Sequence, residues 1–318
     1  MVVSRHGKRS RLSLLEVTTY VKDDHESTGS GTATSSDVAV RRPNGTDVSR
    51  EEIEIDLLIQ GIHRWYGFDF RDYSRSSLRR RIRRTVQTEG VDTISALQDR
   101  VLHDRECFER ALPGLSVNVS AMFRDPSFFL AFRRHVVPLL RTYPFLRIWQ
   151  AGCSTGEEVY SLAILLEEER VYDRCRIYAT DMNGSVLRTA KAGIYPLDVM
   201  QRYTQNYIHA GGTRSFSEYY TAMYDHAMFH PALQRNVLFT EHNLAGDSPF
   251  NEFNVILCRN VMIYFNKQLQ ARVHQLLYDS LAPFGILGIG SHESLRFTVC
   301  EHNYEPVART ERLYRRVR

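Results

Sequence analysis

The chain has 318 residues, a 43% hydrophobic fraction and a formal net charge of +4, so it can bury a core in one large domain or two smaller ones. The nearly balanced charge argues neither for nor against an acidic partner. No stretch approaches the roughly 20 apolar residues of a membrane-spanning helix, and the basic start lacks a signal-peptide core, so we expect a cytoplasmic protein. Five cysteines without C-x-x-C spacing indicate neither a zinc site nor disulfides.

The N-terminal third divides into a leader and a helical part. Residues 1–48 are polar and rich in Ser, Thr and Gly, which predicts a flexible leader. Ser49-Arg-Glu-Glu52 has the form of a capping box, and we expect a small all-α domain over residues 49–115, with further helices at 74–88 and at 93–112, the latter closed by Pro113-Gly114.

The predicted helix at 74–88 is dense in arginine: it contains Arg75, Arg79, Arg80, Arg81, Arg83 and Arg84. Such a helix is either a solvated face or a surface that docks onto an acidic helical protein or a nucleic acid. The sequence leaves both interpretations open.

From Arg124 onward, strands and helices alternate, which is typical of a mainly parallel sheet with helices on both faces. We predict strands at 146–151, 176–181, 237–241, 253–258 and 285–290, helices at 157–169, 185–192 and 267–281, and two antiparallel edge strands within 304–317. Residues 194–235 are too long for a simple crossover and predict an inserted subdomain.

The strand at 146–151 leads through the small-residue turn Gly152-Cys-Ser-Thr-Gly156 directly into a helix, as in nucleoside and nucleotide pockets. Glu157 and Glu158 stand where a phosphate-binding loop offers backbone N–H groups, often with a lysine. Carboxylates repel phosphate and suit a cationic ligand, such as an adenosine with sulfonium and ammonium groups. The alternative is that both glutamates only stabilise the helix N-terminus, by roughly 0.3–1 kcal/mol each.

Ligands of open α/β sheets bind beyond the carboxyl ends of the strands. Three predicted strands end at Asp181, at Glu241-His-Asn-Leu244 and at Cys258-Arg-Asn-Val-Met-Ile-Tyr264. The carboxylate of Asp181 could accept hydrogen bonds from ribose hydroxyl groups. No metal-ligand spacing surrounds His242 or His292, so we expect structural histidines and no metal site. Cys153 has no motif that supplies a paired base, which disfavours a nucleophilic role.

Five motifs occur in order: Asn118-Val-Ser-Ala-Met-Phe-Arg-Asp125, Gly152-Cys-Ser-Thr-Gly-Glu-Glu-Val-Tyr-Ser161, Ala179-Thr-Asp181, Ala192-Gly-Ile-Tyr195 and Cys258-Arg-Asn-Val-Met-Ile-Tyr-Phe265. Through them, about residues 50–318 resemble the CheR-type chemotaxis receptor methyltransferases, which methylate receptor glutamates. The resemblance implies a class I methyltransferase-like doubly wound α/β sheet over residues 116–318, with the all-α domain before it and the subdomain at about 194–235 inserted in it. It also implies S-adenosylmethionine as cofactor and S-adenosylhomocysteine as product.

The resemblance implies nine cofactor-binding residues: Asn118, Ser120, Arg124, Glu158, Asp181, Asn243, Leu244, Arg259 and Asn260. Ser120 replaces the family's usual threonine but keeps the hydroxyl, and Val159 replaces a usual proline that is not required there. In the family's receptor-tethering form, the inserted subdomain binds a receptor tail by strand addition. Residues 194–235 match that form poorly, which disfavours tail binding.

Methyl transfer to glutamate needs few catalytic groups. The acceptor, with a reference pKa near 4.3, is already ionised at neutral pH, so the protein must mainly align the reactants, which is worth roughly 7–11 kcal/mol. We assign Arg124 and Tyr264 as catalytic residues that orient and neutralise the acceptor carboxylate, by a charge-assisted hydrogen bond and a phenolic O–H respectively. The Asn/Asp-Pro-Pro-aromatic signature of many amino methyltransferases is missing after Cys258, which disfavours amine methylation.

The leading hypothesis is a protein-glutamate O-methyltransferase that acts as a monomer. Its arginine-rich helix would dock on an acidic helical receptor, and the protein would associate with a membrane only through that receptor. The alternative is a non-catalytic signalling module that senses S-adenosylmethionine or S-adenosylhomocysteine. Nucleic-acid methylation draws on the same helix but gains nothing from a net charge of only +4.

Overall fold

A computed structural model describes residues 49–296 and 298–318, so the predicted leader lies outside the described residues. The first helix, α1 (Arg50–Tyr66), begins where the capping box predicts, because the Ser49 side chain accepts a hydrogen bond from the Glu52 N–H. It ends at Gly67, whose φ of 81° is accessible mainly to glycine. Among the described residues, no helix is both long and apolar enough to cross a bilayer.

Within the described residues up to 115, four helices form the helical part: α1 is followed by α2 (Arg75–Thr88), α3 (Ile94–His103) and α4 (Arg105–Leu115). The single helix predicted at 93–112 is wrong, because Asp104 adopts an extended conformation and its carboxylate caps α4 by accepting from the Glu106 N–H. The predicted stop at Pro113-Gly114 is also wrong. Helix α4 continues to Leu115, whose burial, with that of Leu112, outweighs the helix-breaking tendency of proline.

The remaining helices and strands follow in chain order: α5 (Pro126–Ala131), a π-helical turn (Phe132–Val136), α6 (Val137–Leu140), β1 (Leu146–Ala151), α7 (Glu157–Glu168), β2 (Cys175–Asp181), α8 (Gly184–Ala192), β3 (Ile194–Pro196), α9 (Met200–His209), β4 (Tyr220–Met223), β5 (His226–Phe229), β6 (Val237–Glu241), β7 (Phe253–Cys258), α10 (Lys267–Ser280), β8 (Leu281–Ile289), β9 (Tyr304–Ala308) and β10 (Leu313–Arg316). All five predicted parallel strands are present. Strand β8 begins four residues before the predicted start, because it follows α10 without a loop.

Seven strands form the main sheet in the order β6-β2-β1-β7-β8-β10-β9. Strand β1 pairs in parallel with β2 on one side and β7 on the other, so the strand order reverses at β1. Strands β9 and β10 pair antiparallel at the edge, as predicted. The expected doubly wound sheet is therefore confirmed, and its switch point lies beside the turn that follows β1.

Alternate side chains of each central strand enter different cores. In β1, Ile148 packs into one core together with α7, whereas Trp149 packs into the other together with helices α1 to α4. Two backbone bonds join the helical part to the loop after β7: Ser74 N–H donates to Tyr264 O and Asn266 N–H donates to Asp72 O, both at 2.8 Å. These contacts hold the helical part beside the carboxyl ends of the strands.

The segment between α8 and β6 contains a separate antiparallel sheet in the order β3-β5-β4. Its helix α9 is tied to the linker after α4, because Asn206 Nδ2 donates to Met122 O at 3.0 Å and Tyr207 packs edge-on against Phe123. The insertion therefore supports the linker that leads into the main sheet.

Candidate functional site

A pocket lies at the carboxyl ends of β1, β2, β6 and β7, and the linker after α4 covers it. The space within the pocket and its solvent-open mouth is about 870 Å³. The structure brings all ten residues predicted as site residues to its wall: Asn118, Ser120, Arg124, Glu158, Asp181, Asn243, Leu244, Arg259, Asn260 and Tyr264. Their individual roles stay predictions.

The turn after β1 forms the floor of the pocket. Gly152 has a φ of 72°, and a Cβ atom there would lie 2.5 Å from Cγ2 of Val261, so a side chain does not fit. The Ser154 N–H donates to one carboxylate oxygen of Asp181 at 2.9 Å, and the Asn183 N–H donates to the other at 3.0 Å. These bonds orient Asp181 at the end of β2, while burial raises the pKa of its carboxyl group.

Glu158 and Arg259 form a buried ion pair in the pocket wall. Arg259 Nη1 donates to Glu158 Oε2 at 2.6 Å, and Gln150 Nε2 donates to Glu158 Oε1 at 2.7 Å. Arg259 Nη2 also donates to Asp125 Oδ2 at 2.8 Å, and its guanidinium carbon lies 3.9 Å from the ring centre of Phe128. One arginine between two carboxylates leaves the cluster with one net negative charge, which suits a cationic ligand.

The two glutamates that begin α7 have different surroundings. Glu157 does not line the pocket: it is buried, and its carboxylate accepts from Thr155 Oγ1 at 2.7 Å. Burial raises the pKa of Glu157. Of the two, only Glu158 therefore lines the pocket, which agrees with the prediction that Glu158 rather than Glu157 contacts the cofactor.

The linker presents Arg124 to the pocket from a strained backbone. Its neighbours Phe123 and Asp125 have φ values of 50° and 56°, in the left-handed region. Arg124 Nη1 donates to Val119 O at 3.1 Å, and its carbonyl accepts from Arg259 Nη2 at 3.2 Å. Within residues 49–296 and 298–318, no carboxylate lies within 4.0 Å of the Arg124 guanidinium, so its charge is available to a ligand.

The helical part adds two residues whose positions the sequence did not predict. Tyr73 lines the pocket, and its hydroxyl donates to Met182 Sδ at 3.4 Å. Buried Arg81 donates to Leu115 O, and its guanidinium carbon lies 5.7 Å from the ring centre of Tyr73 and 5.8 Å from that of Tyr264. A second cation thus lies next to Tyr264. Its position depends on the packing of two domains, for which the sequence carries no local signal.

Gln150 also lines the pocket, although it is not among the site residues predicted from the sequence. Its polar side chain near the end of the apolar strand β1 is a signal that could have identified it. Three side-chain oxygens of pocket-lining residues are buried without a hydrogen-bond partner in the described part of the chain: Gln150 Oε1, Ser154 Oγ and Asn260 Oδ1. These oxygens, beside the carboxylates of Glu158 and Asp181, can accept hydrogen bonds from the ammonium and ribose hydroxyl groups of S-adenosylmethionine. The residues present therefore fit that group.

The surroundings of Cys153 and His242 favour structural rather than catalytic or metal-binding roles. The Cys153 thiol is 2% exposed, and burial raises its pKa well above the ordinary value, which opposes formation of the thiolate. His242 is buried with its ring edge-on to Trp149, at 5.2 Å between ring centres. In the described ranges, no group of three or more potential metal ligands comes together.

The sheet order, the switch-point pocket and the acceptor groups at the ends of β1 and β2 define an S-adenosylmethionine-dependent methyltransferase of class I. Family models agree: "CheR methyltransferase, SAM binding domain" matches residues 118–310, and "CheR methyltransferase, all-alpha domain" matches residues 53–115. The chain belongs to the CheR methyltransferase family, and its cofactor is S-adenosylmethionine.

Curated relatives extend this comparison. The chain is 49% identical over 271 residues to "Putative methyltransferase Cher3" of Pseudomonas putida, covering 85% of this chain and 99% of that protein. It is 28% identical over 239 residues to the chemotaxis protein methyltransferase of Listeria monocytogenes (74% and 87% covered), and 27% identical over 251 residues to that of Salmonella typhimurium (77% and 84% covered).

Among solved structures, the N-methyltransferase NodS of Bradyrhizobium japonicum, in complex with S-adenosylhomocysteine, aligns with a TM-score of 0.31 and 13% identity, covering 54% of this chain and 62% of that one. PKMT2 of Rickettsia typhi aligns with a TM-score of 0.34 and 15% identity, covering 54% and 26%.

Proposed function

We propose that this methyltransferase converts glutamate side chains of a chemoreceptor-like protein into methyl esters. The observation that supports this acceptor is the placement of Arg124, a cation without a carboxylate partner among the described residues, and Tyr264 in the pocket that holds Glu158 and Asp181. A cation and a phenol beside a methyl-donor site suit an anionic acceptor. The chemotaxis names of relatives from Listeria and Salmonella agree with a receptor substrate.

Bound beside Glu158 and Asp181, S-adenosylmethionine would supply a methyl group on sulfur to an acceptor carboxylate oxygen, and the electron pair of the broken carbon–sulfur bond would leave with S-adenosylhomocysteine. The acceptor needs no general base, since a glutamate is ionised at neutral pH. Arg124 neutralises and orients the carboxylate, and the Tyr264 hydroxyl donates to its second oxygen. Arg81, whose guanidinium carbon lies 5.8 Å from the Tyr264 ring centre, adds positive potential beside Tyr264.

The surface of α2 supplies the docking site in this proposal. The structure divides the six arginines: Arg81 is buried, while Arg75, Arg79 and Arg83 pair with acidic residues of α1. Arg80 and Arg84 have no acidic side chain within 4.0 Å in the described part of the chain. Together with Arg79 and Arg83, they line a surface depression on α2, where the charges of Arg80 and Arg84 favour an acidic partner.

The proposal is tested by incubating the full chain with radiolabelled S-adenosylmethionine and membranes that carry the host chemoreceptors. We expect label in a receptor band and its release as volatile methanol in alkali, because methyl esters are base-labile. Variants Arg124→Ala and Tyr264→Phe should lower the transfer rate by about 10- to 100-fold, because a hydrogen bond to a charged group is worth about 1.5–3 kcal/mol and each 1.36 kcal/mol changes a rate tenfold. S-adenosylhomocysteine binding, measured by calorimetry, reports whether Tyr264→Phe keeps its pocket, and the thermal unfolding midpoint reports whether Arg124→Ala stays folded.

Label that resists alkali, or label found in nucleic acid alone, would refute the proposed function. Wild-type transfer by both variants would refute the assignment of Arg124 and Tyr264 as catalytic residues. Tight S-adenosylhomocysteine binding without transfer to any receptor would favour the non-catalytic module instead.

A further inference from the structure

The carboxylate of Glu293 lies behind the pocket wall that follows β7. Four backbone N–H groups donate to it, two to each oxygen: those of Asn260 (3.1 Å), Val261 (2.9 Å), Met262 (2.8 Å) and Gly290 (2.6 Å). Glu293 is only 5% exposed, and no arginine or lysine pairs with it within residues 49–296 and 298–318. Backbone amides therefore supply its stabilisation.

This arrangement requires an ionised carboxylate with the full reach of glutamate. A protonated carboxyl group would turn an O–H toward two amide N–H groups and lose their bonds. Burial raises the pKa of Glu293, and the four amides oppose that rise. A Cβ atom on Gly290 would lie 2.8 Å from both Glu293 Oε2 and Asn260 N, so glycine permits the close approach.

The amides that Glu293 holds belong to the segment on which the site depends. Asn260, Val261 and Met262 are consecutive, and Asn260 has a strained φ of 60°. Arg259 precedes them and carries the ion pair with Glu158, while Tyr264 follows them at the pocket wall. Without the carboxylate, three neighbouring N–H groups would lose their acceptor and the strained backbone would relax.

We propose that Glu293 is a positioning residue for methyl transfer, which holds residues 259–264 so that Arg259, Asn260 and Tyr264 face the cofactor and the acceptor. It does not line the pocket and acts through the backbone of that segment. The transfer measurement below rests on the proposed function, whereas the ligand-binding measurement does not.

The test uses Glu293→Gln in the full chain, because glutamine keeps the volume but places an NH₂ group against two N–H donors. Glu293→Asp keeps the charge with a shorter reach. The control is Glu89→Gln. Glu89 lies in the helical part and does not line the pocket, but its carboxylate, like that of Glu293, accepts hydrogen bonds from more than one donor, namely Arg110 and Cys107. We measure the thermal unfolding midpoint, the S-adenosylhomocysteine dissociation constant by calorimetry, and kcat and receptor KM for base-labile transfer.

At a temperature where each variant is folded, we expect Glu293→Gln to lower kcat at least tenfold and to raise the S-adenosylhomocysteine dissociation constant at least threefold. Receptor KM should stay within twofold, because the α2 surface is unchanged. Glu293→Asp should fall between Gln and wild type, and Glu89→Gln should keep kcat and the dissociation constant within twofold. This split between kcat and KM separates positioning from general loss of stability.

The inference is overturned if Glu293→Gln keeps wild-type kcat and ligand affinity. It is also overturned if the losses of kcat and affinity in Glu293→Gln equal those in Glu89→Gln, or if the unfolded fraction of Glu293→Gln accounts for them in full. If Glu293→Gln does not fold, Glu293→Asp decides by the same criteria, with at least a threefold loss of kcat expected. If the wild-type protein methylates no receptor, the proposed function fails. The dissociation constants of the Glu293 variants still decide this inference in that case: an unchanged value refutes it and a threefold rise supports it.

Discussion

Replacing Arg259 by methionine should destabilise the protein by far more than the loss of one surface charge. The Arg259 side chain is 1% exposed, and it holds Glu158, whose side chain is 10% exposed, at 2.6 Å. Methionine keeps a similar length but leaves Glu158 without its cation. Breaking a buried pair from one side costs about 3–5 kcal/mol, because the remaining charge stays desolvated.

The second partner, Asp125, adds less. Its side chain is 39% exposed, so water screens the lost contact and the added cost is about 1 kcal/mol or less. We therefore expect Arg259→Met to lower the free energy of unfolding by about 3–6 kcal/mol in total. Glu158→Gln combined with Arg259→Met removes both buried charges, and the coupling energy between the two substitutions should be about 2 kcal/mol or more.

The free energy of unfolding is measured by urea denaturation of four forms of the full chain: the wild type, Arg259→Met, Glu158→Gln and the double variant. The matched control is Arg141→Met, which breaks a 2.8 Å pair with Glu169 at a half-exposed position and should cost less than about 1 kcal/mol. The reasoning is refuted if Arg259→Met costs no more than Arg141→Met, or if the coupling energy with Glu158→Gln is near zero.

Two further predictions concern the docking surface and the dependence of stability on pH. The double variant Arg80→Ala/Arg84→Ala should raise receptor KM about fivefold or more in low salt and by less in high salt, while its S-adenosylhomocysteine affinity stays unchanged. The control Arg105→Ala, on α4, should change neither receptor KM nor that affinity. Equal changes of receptor KM in the double variant and in Arg105→Ala would exclude α2 as the docking surface. Burial lowers the pKa of His274 from 6.5 to about 4, against an opposing backbone contact at Ser294. The unfolded state therefore binds the extra proton first, and stability falls as pH drops from 6.5 to 4, by on the order of 3 kcal/mol. His274→Leu should flatten this part of the stability curve measured by urea denaturation, and an unchanged slope would contradict the assignment.

Local sequence signals predicted most of the fold. The capping bond at Ser49, the alternation of strands and helices and the glycine turn after β1 depend on residues a few positions apart, and the structure confirms them. The break at Asp104 escaped prediction because apolar periodicity continues across it. The course of α4 beyond Pro113 escaped because tertiary burial of Leu115 decides it.

The candidate site divides in the same way. Its residue types and their order along the chain could be predicted, because each strand end brings its own motif to the same edge of the sheet. What each side chain does there could not. Glu157 and Glu158 are adjacent in sequence, yet one meets Thr155 and the other meets Arg259.

The sequence by itself determined that this chain folds as a helical part followed by a doubly wound sheet with a nucleoside pocket of acidic character, because glycine turns, caps and periodicity act over short distances. Only the tertiary structure decided which charges are neutralised and which face a ligand. Arg259 reaches Glu158 across 101 positions of sequence, and Glu293 reaches the Asn260 amide across 33. Desolvation and hydrogen-bond geometry select such partners, and both exist only once the chain has packed.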